Sequence, residues 1–107
     1  MKIEPKEIIK LREYFDTNGV CYEVVRWENN RYNLHVDLEY VKLSFLTSKN
    51  SYGGNQGLIE FYNLRDEPTG YLTAEGAIRI YEEEMADMTL KILENTGEYF
   101  ELKEVAE

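Results

Sequence analysis

The stretch Val20-Cys21-Tyr22-Glu23-Val24-Val25-Arg26-Trp27-Glu28-Asn29-Asn30-Arg31-Tyr32-Asn33-Leu34-His35-Val36-Asp37-Leu38-Glu39-Tyr40 decides how this chain folds. From Tyr32 the apolar residues take every second position: Tyr32, Leu34, Val36, Leu38 and Tyr40. Asn33, His35, Asp37 and Glu39 fill the positions between. Successive side chains of a strand point to opposite faces, so this run has one apolar and one wet face. A second run, from Val20, precedes the polar Glu28-Asn29-Asn30, which is the pattern of a β-hairpin. A three-residue loop sets Val24 against Leu34, Tyr22 against Val36 and Val20 against Leu38 on one face, with Asn30 as the left-handed residue. The opposite face then pairs Trp27 with Arg31, Val25 with Asn33, Glu23 with His35 and Cys21 with Asp37. Stacking of Arg31 on Trp27 is expected there.

The rest of the chain adds to this hairpin. Ile8, Leu11 and Phe15 recur at helical spacing after Pro5, with Ile9 beside them, and Asn18-Gly19 supplies a stop; a helix over 5–17 is expected. After Tyr40 the alternation changes phase to Val41, Leu43 and Phe45. The strand is expected to run on to about Leu46, through a β-bulge or buried on both faces. Residues 47–57 read as a long loop with Tyr52 near its tip, 58–64 as a strand, and 66–70 as a turn built on Pro68. Tyr71 and Leu72 suggest a short edge strand. Thr73 then caps a helix whose apolar stripe is Ala74, Ile78, Tyr81, Met85, Met88 and Ile92. Glu75–Arg79 and Asp87–Lys91 support it at four-residue spacing. Gly97 ends that helix and 99–105 alternates as a last strand; a hairpin over 89–105 competes with this reading.

These elements predict an α+β fold. A single domain over 1–107 would hold an antiparallel sheet of four or five strands, an N-terminal helix and a longer acidic helix near the C-terminus. At 107 residues the chain can build a core without metal or disulfide. Its 43% hydrophobic content excludes a disordered acidic tail. One cysteine, no secretory apolar segment and no long apolar run point to a reducing, cytoplasmic compartment and no membrane.

Charge is the strongest functional signal. The net charge is -9, and residues 75–107 hold ten Asp or Glu against Arg79, Lys91 and Lys103. Phosphate binding needs clustered Lys and Arg, so nucleic acid is not expected as a direct partner. A basic protein surface is. The candidate contact residues are Glu75, Glu82, Glu83, Glu84, Asp87 and Glu94 on the acidic helix, together with Tyr52 and Trp27. Their carboxylates would occupy Lys and Arg that otherwise hold phosphates. A phage-type inhibitor that blocks a host nuclease or defence complex is the analogy of size and charge. A self-associating module, dimerising through Trp27, Val25 or the helix stripe, is the alternative.

Chemistry has little foothold. His35 is the only histidine and Cys21 the only cysteine. They are diagonal neighbours in the hairpin, but the carboxylates around them oppose a thiolate, so a Cys–His nucleophile is not expected. His35, Asp37, Glu39 and Glu23 are weak candidates for a metal, since alternating ligands on a strand are not a specific motif. The Gly53-Gly54-Asn55-Gln56-Gly57 run lacks the Lys-Ser/Thr of a phosphate loop and leads into a strand. No catalytic residue and no cofactor are expected, and no motif is specific enough to indicate a family.

Overall fold

Pro5 opens the first helix. In the computed structural model, which describes residues 4–28, 30–38 and 41–96, it stands at the N-cap of α1 (Lys6–Thr17) and its carbonyl accepts the Ile9 N–H at 3.0 Å. Ile8, Leu11 and Phe15 are wholly buried, as their spacing demands. Gly19 ends α1 in the left-handed region (φ 67°), where a side chain would be strained.

Five strands follow in an antiparallel meander, each bonded to the next: β1 (Glu23–Glu28), β2 (Arg31–Asp37), β3 (Lys42–Thr47), β4 (Ile59–Tyr62) and β5 (Thr69–Leu72). A helix of 23 residues, α2 (Ala74–Thr96), completes the described chain. Among the described residues the fold is α+β with a five-stranded sheet and two α-helices, as expected. No helix among the described residues is long and apolar enough to cross a membrane. Gly97 and the strand expected over 99–105 lie outside the described residues. Because α2 continues to Thr96, the competing hairpin over 89–105 is excluded.

The first hairpin keeps half of its expected register. Glu23 faces His35 and Val24 faces Leu34, but a bulge follows, and Arg26 faces Asn33, Trp27 faces Tyr32 and Glu28 faces Arg31. The extra residue, Val25, lets a tighter turn close at Asn30, whose φ of 62° is left-handed as expected. One residue of slip moves a side chain to the other face. Trp27 therefore leaves the wet face and packs edge-on against Tyr32, with ring centroids 5.4 Å apart. The cation over its ring is Arg12, at 5.2 Å, and not Arg31.

The phase change marks a reversal of the chain between Leu38 and Val41, not a bulge. Leu38 N–H donates to Val41 O at 2.8 Å, and β2 and β3 pair as Asp37 with Lys42, Val36 with Leu43 and Leu34 with Phe45. Reversal brings the two out-of-phase apolar sets onto one face, so one continuous strand was the wrong reading. The second turn also differs from expectation. It is organised by the buried Asn63, whose Oδ1 accepts the N–H groups of Arg65 (3.0 Å) and Asp66 (2.9 Å). Gly70 belongs to β5, where a Cβ would lie 2.1 Å from the Cβ of Tyr52.

Both helices cover the same face of the sheet. Tyr32, Leu34, Val36, Leu43, Phe45, Ile59 and Phe61 form the core with Ile8, Leu11 and Phe15 of α1 and Ala77 and Tyr81 of α2. Phe15 is the hub: its ring lies 5.7 Å from Tyr22, 5.7 Å from Phe45 and 5.3 Å from Tyr81. Packing of this kind adds about 0.5–1.5 kcal/mol per aromatic pair beyond area burial.

Candidate functional site: the outer face of the second helix

The sequence of α2 divides its surface. Ala74, Ala77 and Tyr81 are buried, and Ile78 and Met85 pack against the core. On the far side Glu83, Asp87, Leu90 and Glu94 follow one another at intervals of four, three and four, and all four are exposed. Ile80 extends this stripe by one turn. With Glu83, Glu84 and Asp87 it lines a shallow hollow of about 300 Å³.

The three consecutive carboxylates Glu82, Glu83 and Glu84 do not share a face. At 3.6 residues per turn they diverge by about 100° each, so Glu82 and Glu83 are exposed and Glu84 is turned aside. Tyr14 OH donates to Glu82 Oε2 at 3.0 Å. Burial of the Tyr14 ring, and then this carboxylate, raise the phenol's pKa. Glu84 is turned the other way, accepting from Asn63 Nδ2 at 3.1 Å and pairing with Arg65 Nη2 at 3.7 Å, with its side chain 14% exposed. Glu83 has neither ion pair nor side-chain hydrogen bond among the described residues. Asp87 pairs with Lys91 at 3.7 Å, as expected, in the open. The reading of the run as one outward face fails for Glu84, while Glu82 is exposed as expected.

Glu75 belongs to the helix start. Its pKa is lowered by a backbone N–H of the first turn and then by Lys10, which lies at 4.0 Å; that contact replaces the expected pair with Arg79. The same terminus is capped twice more. Thr73 Oγ1 accepts from Gly76 N–H at 3.3 Å, and Glu7 of α1 accepts from Ala74 N–H at 2.7 Å.

The other candidate residues stand apart from this stripe. Tyr52 is 57% exposed beside the β5 edge, its carbonyl accepting the Tyr71 N–H at 3.1 Å and its own N–H donating to Glu60 at 2.8 Å. Tyr71 is exposed too, in a left-handed conformation (φ 58°) that breaks the β5 edge. Nothing in the sequence announced that second tyrosine. Trp27 lies on the helix-covered face.

Cys21, Glu23, His35 and Asp37 do meet, around a shallow cleft of about 230 Å³. Burial and then Lys42 lower the His35 pKa, against the opposing pull of Glu23 and Asp37. Asp37 is drawn to Lys42 at 3.6 Å, and no group of three His, Cys, Asp or Glu among the described residues could hold a metal. Glu39 lies outside the described residues. Asn63, which fixes both a turn and Glu84, carried no sequence signal beyond its type.

Comparison with known proteins finds no matching family model, no similar curated protein and no similar solved structure.

Proposed function

We propose that this protein is a non-catalytic binding module whose outer α2 stripe engages a basic surface of another protein. The observation that carries the reading is the exposed series Glu83, Asp87 and Glu94, interrupted by Leu90 and facing away from the core. Three carboxylates on one line attract Lys and Arg, and Leu90, at 51% exposure, offers an apolar anchor among them. Nucleic-acid-binding proteins present such basic surfaces, and occupying one would inhibit it, as a phage-type inhibitor of a nuclease or defence complex would. Tyr52 is assigned no part in this contact, since it lies at the β5 edge.

The test is affinity capture from nuclease-treated lysate of the source organism and of its host, at low and high salt. The bait is wild-type protein beside Glu83/Asp87/Glu94→Lys. A basic protein held by wild type at low salt, and lost on reversal or in high salt, is the expected result. Identical capture by both baits, or salt-insensitive capture, contradicts the reading.

A second reading is homodimerisation. It rests on Leu90 and on Val24 and Val25, which leave 44% and 40% of their surface exposed on the edge strand β1. It requires a concentration-dependent, salt-insensitive oligomer.

A further inference from the structure

We propose that the cleft between the start of α1, the tip of the β1–β2 hairpin and the 47–57 loop binds a small hydroxylated organic anion. At about 500 Å³ it falls within the size range of small-molecule sites. Three separate parts of the chain build it: Pro5 from the N-cap of α1, Asn30 and Tyr32 from the hairpin, and Thr47, Lys49 and Asn55 from the end of β3 and the loop.

The sign of its charge sets it apart. Carboxylates outnumber cations 21 to 12 in the chain, yet none is among the described residues lining this cleft. Lys49 is the one charged group there, and it makes no ion pair among the described residues. Glu4, the neighbour of Pro5, is drawn away onto Arg12, whose Nε donates to it at 2.9 Å. The N-terminus of α1 lies at the same wall without a side-chain cap, and its first-turn carboxylate, Glu7, is engaged by the Ala74 N–H. Two more donors of the hairpin end, Trp27 Nε1 and Arg31 Nε, are buried without an acceptor among the described residues, although they do not line the cleft.

The loop wall is built rigidly enough to hold such a site. Ser51 Oγ accepts the Ser48 N–H at 2.9 Å and donates back to Ser48 O at 3.0 Å, while Thr47 Oγ1 donates to Leu58 O at 2.9 Å. Gly54 admits no side chain, since a Cβ would come within 1.7 Å of Ser48 O. Lys49 supplies the charge for a phosphate or carboxylate. The amides of Asn30 and Asn55 suit hydroxyl groups, because each offers both a donor and an acceptor.

Backbone-amide NMR titration of the full chain tests this with four probes: glucose 6-phosphate, gluconate, inorganic phosphate and glucose. Saturable shifts at Asn30, Tyr32, Thr47, Lys49, Gly54 and Asn55 are expected with the first two, about ten-fold tighter than with glucose. Glucose 6-phosphate should also exceed inorganic phosphate, and the difference between it and gluconate separates a phosphate from a carboxylate preference. Lys49→Ala should weaken both anions about ten-fold while leaving thermal unfolding unmoved. Asn55→Ala should weaken glucose 6-phosphate but not inorganic phosphate. Scattered or non-saturating shifts, equal binding of glucose and its phosphate, or unchanged binding by Lys49→Ala would each overturn the proposal.

Discussion

Glu7 joins the two helices by accepting the N–H of Ala74, the first residue of α2 and 67 positions further along the chain. Loss of such a cap typically costs about 1 kcal/mol, and the helix dipole adds to it when the acceptor is charged. Glu7→Ala should therefore lower unfolding stability by about 1 kcal/mol in urea titration. Glu7→Gln should recover part of that, because an amide oxygen still accepts. Phe15 is a harsher case. It is wholly buried at the meeting point of both helices and the sheet, and truncation to Ala should cost about 3–5 kcal/mol in the same assay. His35 belongs to the residue scale as well. Its folded pKa is lowered, so the unfolded chain binds the proton more readily. The His35 contribution to stability is present above its ordinary value of about 6.5 and is lost as pH falls through that region. His35→Gln should flatten the stability profile between about pH 7 and pH 5, and an imidazole titration by NMR should give a midpoint below about 6.5. A midpoint above that would contradict the burial seen here.

At the scale of the element, the first hairpin rests on Asn30 and on the extra residue at Val25. Left-handed backbone is tolerated by Asn and Gly and resisted by β-branched residues. Asn30→Gly should be neutral or slightly stabilising, whereas Asn30→Val should cost about 1–2 kcal/mol. Equal stability of the two would argue against a left-handed residue at the tip.

The hairpin also marks how far the sequence can be read. The alternation over Tyr32, Leu34 and Val36 located β2 and its buried face, and the stripe of Ile8, Leu11 and Phe15 located α1. The helix spacing from Ala74 to Met85 found the buried side of α2. Two features were not legible. A bulge leaves composition and alternation almost untouched, so Trp27 was assigned to the wrong face. The chain reverses between Leu38 and Val41 in a stretch without Gly or Pro, so its only trace was the phase change that a bulge would equally produce. The direction of Glu84 was hidden for a related reason. Consecutive residues of a helix look like a patch on paper, but their directions diverge, and the partners of Glu82 and Glu84 (Tyr14, Asn63 and Arg65) are remote in sequence.

Across the whole molecule, charge is layered. The outer stripe of α2 carries Glu83, Asp87 and Glu94, the core separates it from the sheet, and the sheet's far face mixes Arg26, Arg31 and Lys42 with Glu23, Asp37 and Glu60. A basic partner attracted only by the net charge of -9 would respond to any three reversals alike. A partner seated on α2 would respond to reversals on that stripe alone. The most direct measurement is thus the affinity of the captured partner for Glu83/Asp87/Glu94→Lys against a control of equal charge, Glu13/Glu23/Glu67→Lys, whose residues are exposed and do not belong to α2. Loss of binding in the first variant, with the control close to wild type at the same salt, is the predicted result. Equal weakening of both would show that net charge and not the α2 stripe attracts the partner, and would contradict the account.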